Sequence, residues 1–106
     1  MRGGTAGRRL GALLLALAAE SARAEVIQVR IENIDYAPVK IAAHVGDTIE
    51  WVNADIVAHT ATARGGAFDV VLEPNVTKRV MLTTAGTVDY YCKFHPNMTG
   101  QIVVAK

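Results

Sequence analysis

The sequence is poor in the features that usually stabilise or localise a small exported chain. Among 106 residues there is one cysteine, Cys92. A single cysteine excludes an internal disulfide, although small secreted domains commonly rely on them. No apolar run reaches the ~20 residues that a membrane-spanning helix needs. Neither sign of charge dominates: 11 Lys and Arg stand against 10 Asp and Glu, a net +1. Without a clustered basic face, nucleic acid is not an expected partner. Internal repeats, low-complexity segments and linkers are all missing. No stretch keeps helical periodicity long enough to form a helix.

What is present begins with an export signal. Arg2, Arg8 and Arg9 make a positive start, Leu10 to Ala19 reads LGALLLALAA, and Ala22-Arg23-Ala24 has the small-x-small form of a cleavage site. Together these predict a secretory signal peptide over residues 1–24 and a mature domain over 25–106. Arg8-Arg9 also suggests the twin-arginine route, but the residues after the pair match that pattern poorly, and ordinary secretion is favoured. The signal holds four of the basic residues and one of the acidic ones, so seven basic and nine acidic remain. The expected product is a mildly acidic, monomeric, periplasmic domain without a membrane span. It is near the lower size limit for folding on its core alone. A free thiol in an oxidising compartment is a liability, and a metal is the first explanation for Cys92.

The domain reads as strands throughout. Residues 25–32 (EVIQVRIE), 39–43, 48–52, 57–63, 68–72, 76–83, 87–92 and 101–105 carry β-forming residues, and Thr48-Ile49-Glu50-Trp51-Val52 alternates with period two. Turn signals divide them at Tyr36-Ala37-Pro38, Gly46-Asp47, Gly65-Gly66, Glu73-Pro74-Asn75, Ala85-Gly86 and Thr99-Gly100. Short strands at regular spacing predict an all-β fold, a Greek-key β-sandwich of about seven to eight strands.

The chemistry is concentrated in Tyr90-Tyr91-Cys92-Lys93-Phe94-His95-Pro96-Asn97-Met98-Thr99-Gly100. Here Cys-x2-His-x2-Met stands where a strand ends and a tight loop begins. Thiolate and imidazole are strong donors to copper, and a thioether is a soft, weak one. A trigonal site needs one more nitrogen, and His59, in the strand over 57–63, is the natural source. Singly, each residue has an ordinary reading: a buried thiol, an interior histidine, a gap-filling methionine. Jointly, His59, Cys92, His95 and Met98 are the donor set of one type 1 (blue) copper ion, with Met98 axial. Zinc fits less well, because methionine is not among its usual ligands. His44 is expected at the surface, and no histidine run offers a second metal site.

With these residues in view, the chain resembles the small cupredoxins, and within them amicyanin and its relatives. Residues 45–53, His59 and residues 86–100 carry the resemblance, and the short Cys-x2-His-x2-Met loop has the amicyanin spacing, whereas plastocyanins and azurins have longer loops. The resemblance implies a sandwich with copper at one end, a buried His59 and an exposed His95. It also implies that Asn53 fixes the ligand loops near the Cys92 sulfur. Ala58 and Phe94 stand where amicyanin has proline, and amicyanin's N-terminal extension is missing. The methylamine-oxidising dehydrogenase that amicyanin serves is therefore not assigned as partner.

Three functions are consistent with one copper site. An electron carrier between redox proteins needs only the four ligands and an exposed edge, formed here by Phe94, His95, Pro96 and Asn97. A copper-delivery or storage module would need a methionine- or histidine-rich site, which this chain lacks. A copper enzyme would need a further copper with an open position, which His44 alone cannot build. The sequence thus favours a carrier that is not an enzyme.

Overall fold

The structure is a computed structural model that describes residues 23–106. The signal peptide expected over 1–24 therefore lies, except for Arg23 and Ala24, outside the described residues. Nine strands follow in order: β1 (Val26–Glu32), β2 (Asp35–Ala37), β3 (Lys40–His44), β4 (Thr48–Asn53), β5 (His59–Ala63), β6 (Asp69–Leu72), β7 (Thr77–Met81), β8 (Gly86–Tyr91) and β9 (Thr99–Ala105). Among the described residues there is no helix, and none is long and apolar enough to cross a membrane.

The strands form two sheets, β2-β1-β4-β7 and β3-β9-β8-β5-β6. Parallel pairs β1–β4 and β3–β9 sit among antiparallel neighbours. The count is one above the expected range. The added strand, β2, is three residues long and pairs with β1 through Arg30–Ala37, Ile31–Tyr36 and Glu32–Asp35. Its proximity to Pro38 makes it read as a turn in sequence.

Alternation explains which residues meet between the sheets. In β4, Ile49, Trp51 and Asn53 are buried while their neighbours are partly exposed. β1 turns Val29 and Ile31 inward, and β9 turns Ile102 and Val104 inward. Trp51, Tyr90, Phe68 and Tyr36 meet at the centre with ring centroids 4.6–5.8 Å apart. Such pairs prefer the tilted and edge-on contacts seen here. Tyr90 also accepts a hydrogen bond from Trp51 Nε1 at 3.3 Å, and burial pushes its hydroxyl pKa up to about 12. Each large apolar side chain fully buried contributes roughly 1.5–3 kcal/mol, so this aromatic cluster is a main source of stability in a domain of few residues.

Strand direction puts functionally important loops at one end. The ends of β1, β4, β6 and β8 and the starts of β2, β5, β7 and β9 share that pole. The turn at 33–34, the loop at 54–58, the turn at 73–76 and the loop at 92–98 therefore lie together.

Candidate metal centre

The β8–β9 hairpin sets the first part of the site. Tyr91 pairs with Thr99 and Tyr90 with Gly100, which leaves Cys92 to Met98 as the connecting loop. Two backbone bonds fold that loop: the N–H of His95 donates to the carbonyl of Cys92 at 3.2 Å, and the N–H of Met98 to that of His95 at 2.8 Å. Each closes a three-residue step, the spacing of the Cys-x2-His-x2-Met pattern. The N–H of Cys92 donates to the carbonyl of Met98 at 3.1 Å and shuts the loop. β5 lies beside β8, with Thr62 opposite Tyr91, so His59 at its start comes alongside Cys92.

The Sγ of Cys92 is 3.7 Å from His59 Nδ1 and 3.7 Å from His95 Nδ1. The three donor atoms all lie within 4.8 Å of one another. With sulfur and nitrogen bonds of about 2.3 and 2.0 Å, taken from zinc centres as a guide, two donors 120° apart about one point are ~3.7 Å from each other. The spacing therefore fits one shared metal ion, and a thiolate with two imidazoles suits copper. His59 and Cys92 are fully buried, Met98 is buried at the end of the loop, and His95 is half-buried. His44, as expected, is exposed and stands apart from this group, paired at 3.9 Å with Asp47.

Neighbouring groups hold the donors in place. The N–H of Thr60 donates to Cys92 Sγ at 3.3 Å, and the hydroxyl of Thr60 accepts the N–H of Lys93 at 2.9 Å. Asn53 donates through Nδ2 to the carbonyls of Val57 and Leu72, both at 2.9 Å, and its Oδ1 accepts the N–H of Asp55 at 2.9 Å. It thus ties the loop before His59 to β6. Its bonds are made there, however, and the donor to the Cys92 sulfur is Thr60. Asp55 places Oδ2 at 2.7 Å from His59 Nε2. Burial works against the charge of Asp55, but hydrogen bonds from the N–H of Ile34, from His59 and from the N–H of Asn33 outweigh it and hold its pKa below the ordinary carboxylate range. Neither Thr60 nor Asp55 stands out in the sequence, because a threonine in a strand and an acid in a loop are unremarkable residue types there.

Outside the ligands, the end of the sandwich exposes several apolar side chains. Phe94 is 55% exposed, Ile34 46%, Val57 42% and Ile56 94%. Pro96 is exposed as well, and Ile34, Phe94, His95 and Pro96 line one shallow hollow together with the polar Asp35 and Asn97.

A two-sheet β-domain that gathers one thiol and two imidazoles at one pole belongs to the class of copper-binding β-sandwiches. The chain belongs to the cupredoxin-like domain family, whose profile matches residues 9–104. It is 32% identical over 93 residues to amicyanin from Paracoccus denitrificans, covering 82% of this chain and 70% of that protein. To amicyanin from Paracoccus versutus it is 29% identical over 94 residues, covering 83% and 71%. Among solved structures, it resembles the reduced state of an amicyanin mutant with phenylalanine for proline, at 33% identity and a TM-score of 0.65, covering 82% and 88%. It also resembles a purple cupredoxin from Nitrosopumilus maritimus, at 28% identity and a TM-score of 0.68, covering 74% and 99%. Proteins of this family bind one copper and carry electrons.

Proposed function

We propose that His59, Cys92, His95 and Met98 hold one copper ion, and that the chain shuttles single electrons between redox proteins in the periplasm after loss of residues 1–24. The observation that carries this reading is the convergence of Cys92, His59 and His95 within 4.8 Å at the apolar pole. Copper bound there would supply a Cu(II)/Cu(I) couple. The remaining work belongs to the chain. The buried strand start and the closed loop hold two imidazoles and a thiolate in fixed directions, so little rearrangement opposes a change of charge. Met98 would add a weak thioether donor that tunes the potential. Half-buried His95 offers an edge through which an electron reaches a docked protein.

The apolar rim around His95 suits brief encounters, since transient redox complexes use small interfaces and exposed apolar patches mark contact sites. Donor and acceptor are redox proteins, with no nucleic acid involved, and the chain acts as a monomer. An enzymatic role is not proposed, because the chain belongs to a cupredoxin-like family of electron carriers.

The test is the absorption and paramagnetic-resonance spectrum of the copper-loaded protein, with voltammetry. The expected result is a strong thiolate-to-copper band and a reversible one-electron couple. Cys92→Ser should abolish the band, because the deprotonated sulfur is the ligand. A native visible spectrum in that variant would overturn the assignment. A colourless Cu(I) form that hands its metal to an acceptor would instead favour delivery.

A further inference from the structure

Resting on the electron-carrier reading above, we propose that Ile34 is a partner-contact residue kept against the preference of its own turn. With Asp35 beside it, the contact selects redox proteins whose apolar cofactor edge is ringed by basic side chains.

The turn is the first observation. Glu32 pairs with Asp35 across β1 and β2, so Asn33 and Ile34 form the hairpin loop between them. Both have positive φ, 55° and 59°. Two-residue loops with positive φ at both positions favour Asn-Gly. Asparagine tolerates left-handed backbone, whereas a β-branched isoleucine is a steric misfit there. Local energetics therefore call for glycine at position 34, and the chain has isoleucine.

Neither packing nor the neighbouring acid accounts for that choice. Ile34 is 46% exposed and stands outside the buried core. Its N–H donates to Asp55 Oδ2 at 2.9 Å, but glycine in the same conformation would keep that backbone bond. An apolar side chain that strains the backbone and faces solvent lowers the stability of the free domain. Strained backbone held in place by its surroundings points to function, and exposed apolar patches mark contact sites. Ile34 shares its hollow with Phe94, His95 and Pro96. A protein seated on the His95 edge therefore covers Ile34 as well.

Charge identifies the kind of protein. Asp35 lines the same hollow and is exposed. Glu73 is exposed beside Val57, where Asn53 Nδ2 bonds the carbonyls of Val57 and Glu73 at 2.9 and 3.3 Å. Among the described residues neither carboxylate has an ion-pair partner. The nearby cations are committed, Arg30 to Glu32 at 3.4 Å and Lys93 to Asp69 at 2.6 Å. Lys40 and Arg64 line a separate hollow around Asp89, and Lys78 is set back on β7 opposite Trp51. Free carboxylates at the margin of an apolar patch attract basic groups and repel acidic ones, which acts on the encounter rate and its salt dependence.

The experiment has two parts, and the first needs no metal. Ile34→Gly should shift the folding equilibrium of the metal-free full chain roughly three- to tenfold toward the folded state, read as a higher urea midpoint. An unchanged or lower midpoint would overturn the proposal. The second part follows, by stopped flow at increasing salt, one electron passing from Cu(I) to the ferric haem of a cytochrome c with lysines around its haem edge. The parent rate should fall as salt rises. Ile34→Gly should slow transfer about three- to tenfold, the part of a full isoleucine burial that its exposure leaves to a partner. Asp35→Asn should slow it about two- to fivefold at low salt, the size of one exposed ion pair, and leave the rate at high salt unchanged. A parent rate that rises with salt, or a parent-like rate at low salt in either variant, sinks the docking claim. Should Ile34→Gly lose its thiolate-to-copper band, Ile34→Asn, which tolerates the same backbone, takes its place. A parent chain with no such band would remove the carrier reading and the docking claim with it, while the urea comparison would still read the strain at position 34.

Discussion

Gly100 stands across the β8–β9 hairpin from Tyr90, and there is no room for a methyl group between them. A Cβ built on Gly100 would meet Tyr90 Cζ at 2.5 Å and Cε1 at 2.6 Å. Those atoms belong to a ring that is itself locked against Trp51 and Tyr36, so the neighbour cannot move aside at low cost. Overfilling a packed core typically costs 1–3 kcal/mol. Gly100→Ala should destabilise the metal-free protein by about that much, read as a lower urea midpoint. It should also disturb the register that pairs Tyr91 with Thr99 and closes the ligand loop. An unchanged midpoint would mean that Tyr90 is free to shift. In sequence this glycine reads only as an entry to the last strand; its close contact with the aromatic core is a tertiary fact that no local pattern carries.

At the scale of the element, β5 is the unusual strand, buried at all five positions. Its two threonines carry hydroxyls into that interior, and a directed chain satisfies them. Thr62 Oγ1 must donate to the Asp69 carboxylate at 2.9 Å, so it accepts from Thr60 Oγ1 at 2.9 Å. Thr60 Oγ1 in turn accepts the N–H of Lys93 at 2.9 Å. Lys93 Nζ returns to Asp69 at 2.6 Å. That side-chain bond is the main reason the carboxyl of Asp69 is held below its ordinary pKa and the ammonium of Lys93 above its own. The circuit fastens the first residue after Cys92 to the strand that carries His59. Thr60→Val conserves shape but leaves the Lys93 amide without its acceptor and removes the donor to Thr62 Oγ1, whose own bond to Asp69 remains. Unpaired buried groups cost roughly 1–3 kcal/mol each. Lower stability and faster hydrogen exchange at the Lys93 amide are expected, and exchange as slow as in the parent would show that the circuit does not restrain the loop. This strand also marks where the sequence is legible and where it is not. Period-two alternation identifies β4 because one of its faces is less buried than the other. β5 lacks such contrast, so the sequence pattern places its start at Val57, whereas the pairing with β6 begins at His59. The intervening residues form the loop that Asn53 and Asp55 secure. The donor residues themselves were visible from their spacing and chemistry, because the metal imposes its own pattern. Asp55 and Thr60 are not, because their roles depend on how segments distant in sequence meet in the fold.

Over the whole molecule, acidity should act through carboxylates anchored in the folded state. Asp47 is nearly buried. Its Oδ1 accepts the N–H of Glu25 at 2.9 Å and its Oδ2 that of His44 at 2.8 Å. These backbone bonds, the Glu25 one first, outweigh burial and lower its pKa from the ordinary value of 3.8. Glu50, Asp55 and Asp69 are shifted in the same direction. A carboxyl whose folded pKa is lower than its unfolded pKa adds stability above the unfolded value, and that contribution fades as pH falls through the folded one. Urea midpoints of the metal-free protein should therefore hold near neutrality and drop below about pH 4, close to the unfolded carboxylate value. Asp47→Asn should start lower and lose less on acidification. A variant that loses as much as the parent would remove Asp47 from this linkage.

The bond between Asp47 and the Glu25 nitrogen has one more consequence. In the full chain that nitrogen is an amide, a neutral donor. With residues 1–24 removed as proposed, it becomes an α-ammonium group, charged at neutral pH because such groups titrate near 7.7–8.0. Proteolytic maturation would then place a new positive charge 2.9 Å from an almost solvent-excluded carboxylate. Export would thus leave a chemical mark on the folded domain: the hydrogen bond that joins the start of β1 to the turn before β4 in the precursor would become a charged clasp at the cut end.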